Sequence, residues 1–455
     1  MTITVMLRVE DLTETRFQEF LRIYWMAWDR FRYMPVRRAP GWWWEEDPVF
    51  LLNHHLEVVK GHFDEVSLQS WVSARLNQPL PDYRPLWKFW LVPDAEGGAA
   101  LLLRIHHCYA DGLSLMGVFE RLCLPSPQQA PAIYGAREHA DLSRWTNAAS
   151  AWLSELMSAE APAGTEGEPD ATIPGNGGTD QRNAIERAAL KSMKLINEFS
   201  HLLVEPEDTP SSLRRPLLGR RHCRWSPPVS LDRFRHIANI TGVKINDVLL
   251  SCVASAVRNH LLLDASHLQS DDSHLQSDDS TELDESVLHA AVPVDIRSRL
   301  PDDIRPKGDA LGNYFGTMFV PLPVDGDSPL ERLFRIKHET RKLKKSWQPG
   351  LSWALSGAAS LIPEAWRKPF ADLFYRKASA VVSNVSGTPE VRYLAGCRIT
   401  EQMFWVPQAG DIGLGVSVVS YAGQVQFGVV ADEAVMASPE QFLNDCLQEL
   451  DAFPG

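Results

Sequence analysis

The chain has little that would suit an oxidising compartment, a membrane span or a nucleic acid. Its six cysteines (Cys108, Cys123, Cys223, Cys252, Cys397, Cys446) are scattered, with no C-x-x-C pair. That spacing argues against a zinc ribbon or a redox motif and predicts reduced thiols in a cytosol. No segment approaches the ~18 uninterrupted apolar residues of a spanning helix. The nearest, Leu351 to Pro363, is shorter and contains Ser, Gly and Pro. The opening MTITVMLRVEDLTET has no basic stretch followed by an apolar one, so no secretory signal is expected. Positive charge is in the minority: 45 Lys and Arg against 58 Asp and Glu, a formal net charge of −13. A general nucleic-acid binder needs a basic face, so that class is set aside. A local basic patch for an anionic ligand remains compatible with the global sign.

What is present suits a large globular enzyme. The chain has 455 residues, 44% hydrophobic and 23% charged, and such a length predicts two domains of roughly 150–250 residues. Met1 to Val9 alternates as a strand, and Glu14 to Phe31 carries apolar residues at helical spacing. Ser67 to Leu76 reads as a helix. Trp87 to Pro93 and Ala99 to His106 read as strands. Glu160 to Asn183, poor in large apolar residues, reads as a linker, and a helical pattern resumes over Ala184 to Leu203. Lys244 to Leu261 is a strong helix. Further strands are expected at Val287 to Val294, Tyr314 to Pro321 and Ala378 to Asn384. Gly413 to Tyr421 and Gln424 to Val430 form a predicted hairpin around Ala422-Gly423. The polar heptad Ser266 to Asp272 is repeated as Ser273 to Asp279 and reads as a surface loop insertion. Among fifteen tryptophans, Trp42-Trp43-Trp44 stand together; burial in the core is favoured over an interfacial surface.

The run His106-His107-Cys108-Tyr109-Ala110-Asp111-Gly112 is the centre of the chemistry. It ends a buried strand and opens an amphipathic helix, which Asp111 can cap. Two imidazoles with a carboxylate four residues beyond His107 are suited to removing a proton from a hydroxyl or amine near neutral pH. No metal is expected: His106 and His107 are adjacent and diverge, and His267 and His274 are seven residues apart on a presumed loop.

HHxxxDG resembles the signature of the chloramphenicol-acetyltransferase-like superfamily. The flanking motifs are similar to those of its bacterial wax ester synthase/acyl-CoA:diacylglycerol acyltransferase branch. Arg84-Pro85-Leu86-Trp87 looks like the PLW motif, Asn246-Asp247 like the ND motif, and Pro293-Val294-Asp295-Ile296-Arg297 like PVSxR. Leu311-Gly312-Asn313 matches LGN, and Ser383-Asn384-Val385-Ser386-Gly387 is close to SNVPG, with Ser386 in place of proline. The resemblance implies an α/β (α+β layered) fold of two chloramphenicol-acetyltransferase-like halves with mixed sheets. Residues 1–155 would form the N-terminal half, 156–207 a linker and crossover helix, and 208–455 the C-terminal half, with the active site at their interface. The family opens with an SPxD-type segment ahead of its first helix. Here Met1 lies close to the first strand, which reads as a truncated or late start.

The resemblance also implies the activity: transfer of a long acyl group from acyl-CoA, a co-substrate and not a bound cofactor, to a fatty alcohol or diacylglycerol. His107 would be the general base, with no covalent intermediate. The competing readings are a lipid-binding relative that has lost turnover, and a condensation-type acyltransferase using carrier-protein thioesters. His106, on the opposite face of the strand, reads as structural or pocket-shaping. Asp111 has three open roles: orienting His107, capping the helix, or pairing with Arg297 in a buried ion pair, the last by resemblance. Gly112 is expected to permit a close backbone approach. Asn246, Asn313, Asn384 and Ser383 are candidate oxyanion donors, and Asn246-Asp247 reads equally well as a helix N-cap. PLW reads as packing. Two basic clusters, Arg335 to Lys345 and Arg214-Arg215 with Arg220-Arg221, are candidates for the CoA phosphates or an anionic bilayer. The expected location is cytoplasmic, peripheral to the plasma membrane or to lipid inclusions.

Overall fold

The structure, a computed structural model, describes residues 1–38, 41–133, 207–271, 287–300, 302, 305–306, 311–326, 328–358, 372, 375–408 and 410–453. The expected linker and the helix at 184–203 lie outside these residues, as does the second heptad copy.

The N-terminal half contributes β1 (Thr2–Val9), α1 (Glu14–Phe20), β2 (Tyr33–Arg38), β3 (Gly41–Glu46), β4 (Leu56–Val58) and α2 (Glu65–Leu76). After these come β5 (Trp87–Val92), β6 (Ala99–His106), α3 (Gly112–Leu122) and β7 (Cys123–Leu124). The C-terminal half begins with β8 (Arg221–Trp225), β9 (Val229–Ser230), α4 (Leu231–Thr241), α5 (Ile245–Asp271), β10 (Leu288–Asp295) and β11 (Phe315–Leu322). It continues through α6 (Pro329–Lys344), α7 (Gln348–Ala358), β12 (Ala380–Ser386), β13 (Tyr393–Leu394) and β14 (Cys397–Trp405), and ends with β15 (Leu414–Tyr421), β16 (Gln424–Asp432) and α8 (Pro439–Ala452).

Two mixed seven-stranded sheets form the expected α/β halves. The first has the order β4-β5-β6-β1-β14-β13-β7, and the second β11-β10-β12-β15-β16-β8, with β9 also on β16. The division near residue 208 is therefore not a clean cut. β13 and β14 come from the C-terminal part of the chain but complete the N-terminal sheet, where β14 pairs antiparallel with β1. A core cluster joins Met6, Trp90 and Leu102 of the first sheet to Cys223, Trp225 and Val430 of the second, so the halves share buried apolar surface.

β6 is buried along its length up to His106, and it pairs with β1 and β5. Its continuous apolar run suits a strand covered on both faces. The predicted β15–β16 hairpin is present, with positive φ at Ala422 (48°) and Gly423 (77°), as a tight two-residue turn requires.

Three expectations change. Glu14 to Phe31 is not one helix: α1 passes into a π turn at Leu21–Trp25, then a separate 3-10 turn at Asp29–Arg32. This geometry still buries Trp25, Trp28 and Phe31 together. The first heptad copy does not form a loop, because α5 runs on through it to Asp271. Trp42 and Trp43 are not core residues: they stand 51% and 46% exposed on the separate β2–β3 ribbon. Only Trp44 packs inward, against Tyr109. Among the described residues no single helix is long and apolar enough to cross a membrane.

Candidate active site

The HHCYADG turn is clamped from three sides. His106 N donates to Leu86 O (2.8 Å), which ties the Pro85-Leu86-Trp87 motif to the end of β6, and the Trp87 side chain is buried. Tyr109 is fully buried, and its hydroxyl donates to Tyr33 O (2.6 Å) and accepts from Leu86 N (3.0 Å). Asp111 N donates to Gly312 O (2.8 Å), so the turn is also tied to the C-terminal half.

Asp111 is spent on structure. Its Oδ1 caps α3 by accepting from Ser114 N (2.7 Å), and its Oδ2 accepts from Tyr314 N (2.7 Å). Arg297 Nη2 donates to both oxygens, at 2.8 and 2.9 Å. Arg297 also donates to Ser114 Oγ (2.8 Å) and pairs with Asp295 (2.8 Å). Burial works against the guanidinium's charge, but Asp111 and Asp295 outweigh it and hold the pKa of Arg297 above the ordinary value. Of the three roles open to Asp111, the structure selects the cap and the ion pair together. It acts on His107 only through space, as a nearby negative charge.

The residue that orients His107 is Asn313. His107 Nδ1 donates to Asn313 Oδ1 (2.7 Å), and Asn313 Nδ2 donates back to His107 O (3.0 Å). Both ends of the amide are engaged with His107, which makes Asn313 a positioning residue for the ring. An amide oxygen only accepts, so Nδ1 carries the hydrogen and Nε2 the lone pair. Trp353 Nε1 holds the Asn313 carbonyl from behind (3.1 Å). Phe315 stands beside the imidazole, with ring centroids 5.4 Å apart. Burial lowers the pKa of His107, an effect that Asn313 and Asp111 partly offset, so the neutral ring is favoured.

His106 faces elsewhere. Its Nδ1 accepts from Cys108 N (3.2 Å), and burial, aided by neighbouring positive charge, lowers its pKa to about 4. Burial pushes the Cys108 thiol up to about 12, which rules it out as a thiolate nucleophile near neutral pH. Gly112 departs from expectation. A Cβ there would meet only Val385 Cγ2 at 4.0 Å, an ordinary contact, so no close backbone approach requires glycine.

His107 lines a chamber of about 300 Å³ between the two sheets. Ile3 and Phe404 come from the first sheet, and Val292, Met318 and Val385 from the second, so the wall is largely apolar. Asn246, Ser383 and Asn384 supply its polar groups, with Asn384 Nδ2 donating to Asn246 Oδ1 (2.6 Å). Asp247 is buried away from the chamber. It accepts from Lys244 N (2.9 Å) as a helix cap and from Thr340 Oγ1 (2.8 Å) on α6. Sequence reasoning did not single out Phe315, Ser114, Thr340 or Trp353. None carries a motif signal, and each matters only through what it packs against.

Residues 17–249 match the wax ester synthase/diacylglycerol acyltransferase catalytic domain, and residues 311–453 match the C-terminal domain of the same family. A Mycobacterium tuberculosis protein named as a diacylglycerol O-acyltransferase is 26% identical over 442 residues, 91% of this chain and 83% of its own length. A Mycobacterium bovis protein of the same name is 23% identical over 439 residues, 94% of this chain and 80% of its own. Among solved structures, the wax ester synthase/diacylglycerol acyltransferase of Marinobacter aquaeolei VT8 superposes with a TM-score of 0.62 at 18% identity, covering 100% of this chain and 94% of its own. A trichothecene 15-O-acetyltransferase from Fusarium sporotrichioides gives 0.57 at 14% identity, covering 100% and 90%. The chain belongs to the wax ester synthase/diacylglycerol acyltransferase family and is an acyltransferase.

Proposed function

We propose that the protein moves a long acyl group from acyl-CoA to the hydroxyl of a fatty alcohol or diacylglycerol, with His107 as the general base. The observation that carries this reading is the clamped imidazole: Asn313 occupies Nδ1–H, and the ring lines an apolar chamber. Nε2 takes the proton from the alcohol as its oxygen attacks the thioester carbonyl. The tetrahedral intermediate then collapses, the C–S bond breaks, and the imidazolium protonates the departing thiolate. A thioester is already activated, so no covalent enzyme intermediate is required. Asn246, Ser383 and Asn384 are the polar groups on the chamber wall from which an oxyanion donor would come. A chamber of about 300 Å³ holds reacting ends rather than two whole lipids, so the chains would leave along the crevice between the halves. The names of the relatives support diacylglycerol as one acceptor. The test is incubation of the purified protein with labelled palmitoyl-CoA and either hexadecanol or diolein, followed by lipid separation. Labelled ester with either acceptor is expected, and its absence with both would refute the reading.

The clamp makes a pH prediction. Asn313→Asp places a carboxylate on Nδ1–H, which favours the imidazolium and raises the pKa of His107. A base works only when neutral, so activity is lost as pH falls through that pKa. The acid limb of the kcat/KM profile is therefore expected to move to higher pH, by about one to two units. An unmoved limb in an active variant would show that His107 is not the titrating base.

A further inference from the structure

We propose that the C-terminal turn of α6 is an anion site for the phosphates of the CoA donor, with Lys344 as its central cation. The proposal rests on the reading of acyl-CoA as donor and names the residues that would receive it.

The two basic clusters differ in how their charge is used. Arg214 donates to Tyr375 O and Ala378 O (2.9 Å each), Arg215 pairs with Asp264 (2.6 Å), and Arg220 pairs with Glu433 (2.7 Å). Those groups hold the fold together. On α6 the early arginines are also consumed: Arg332 pairs with Glu449 (2.9 Å) and Arg335 with Asp325 (2.6 Å). The last turn is different. Thr340, pinned to Asp247, and Lys344, one helical turn later on the same face, both line the chamber that contains His107. Arg299 fixes this terminus by donating to Lys344 O (2.7 Å) and Ser346 O (3.2 Å). Arg341 and Lys345 are exposed beside it. The carboxylates on the chamber wall, Asp111 and Asp295, are both paired with Arg297. Lys344 is thus the cation of the chamber wall that is not taken by a carboxylate among the described residues.

The chemistry of the donor fits this placement. Its thioester must reach His107 through an apolar space. Its phosphates are strongly hydrated and need a cation where they come to rest. A lipid headgroup presents the same phosphate chemistry, so the experiment separates the two sources.

The test measures binding of CoA, adenosine 3′,5′-bisphosphate and pantetheine to the full chain by calorimetry, with Lys344→Gln and Lys344→Arg beside the unaltered protein. Lys344→Gln is expected to weaken CoA and the bisphosphate about tenfold, leave pantetheine unchanged, and be rescued by Lys344→Arg. Unchanged CoA affinity, equal loss for CoA and pantetheine, or no CoA binding by the unaltered protein would overturn the site. Sedimentation with vesicles of phosphatidylcholine and phosphatidylglycerol is expected to be the same for all three proteins. Loss of vesicle binding with CoA affinity intact would assign the cations to headgroups instead and overturn the proposal. Because these readouts need no turnover, an unaltered protein that binds CoA yet forms no ester would refute the proposed activity while leaving the anion site standing.

Discussion

Replacing His107 with alanine is expected to lower kcat for ester formation by roughly 10²–10⁴-fold, the usual contribution of a positioned general base, with little change in melting temperature. The imidazole lines the chamber and is only half-buried, so its removal leaves the β6 pairing and the Asp111 network in place. Asn313 loses one partner, and its amide keeps the bond to the His107 carbonyl, a backbone group that alanine retains. Activity with acyl-CoA and thermal unfolding measured on the same preparation decide the matter. Equal product formation by the variant and the unaltered protein would end the general-base assignment.

Asp111→Ala is expected to fail in the opposite way, by unfolding or misshaping the site before chemistry is reached. One buried carboxylate caps α3, holds Tyr314 N and pairs with Arg297. Its loss removes the cap, strips Tyr314 N of its acceptor and leaves Arg297 with Asp295 as its remaining carboxylate. It also removes two of the ties between the halves at the turn that carries His107, those to Tyr314 N and Arg297. A clearly lowered unfolding midpoint and poor solubility are the expected results. Arg297→Ala should behave similarly, and the double variant should lose less than the sum of the two because the singles share one interaction. A soluble Asp111→Ala protein with normal melting and no activity would show that the carboxylate serves the reaction directly.

The contrast between these residues shows how far the sequence reached. The end of β6 and the start of α3 were legible because their causes are local: a continuous apolar run, then an aspartate three residues ahead of the backbone N–H it caps. The β15–β16 hairpin was legible for the same reason, from two alternating runs around Ala422-Gly423. The break in the helix predicted over Glu14 to Phe31 was not, because periodicity reports an apolar face and says nothing of where the axis must bend to bury Trp25 and Phe31 together. The exposure of Trp42 and Trp43 was also hidden. Composition favours burying tryptophan, while among the described residues their strand pairs only with β2, outside both main sheets.

The amino-acid order by itself determined the pair of mixed α/β halves, the family and the placement of HHCYADG at a strand-to-helix turn. Each follows from patterns within a few residues or from motifs in a fixed order. Tertiary structure alone decided that Asn313, 206 residues from His107, orients the imidazole, and which of the roles open to Asp111 it fills. It alone placed Lys344 on the wall of the same chamber. A hydrogen bond is set by distance and direction to within a few tenths of an ångström, and across two halves only the packed chain supplies that geometry.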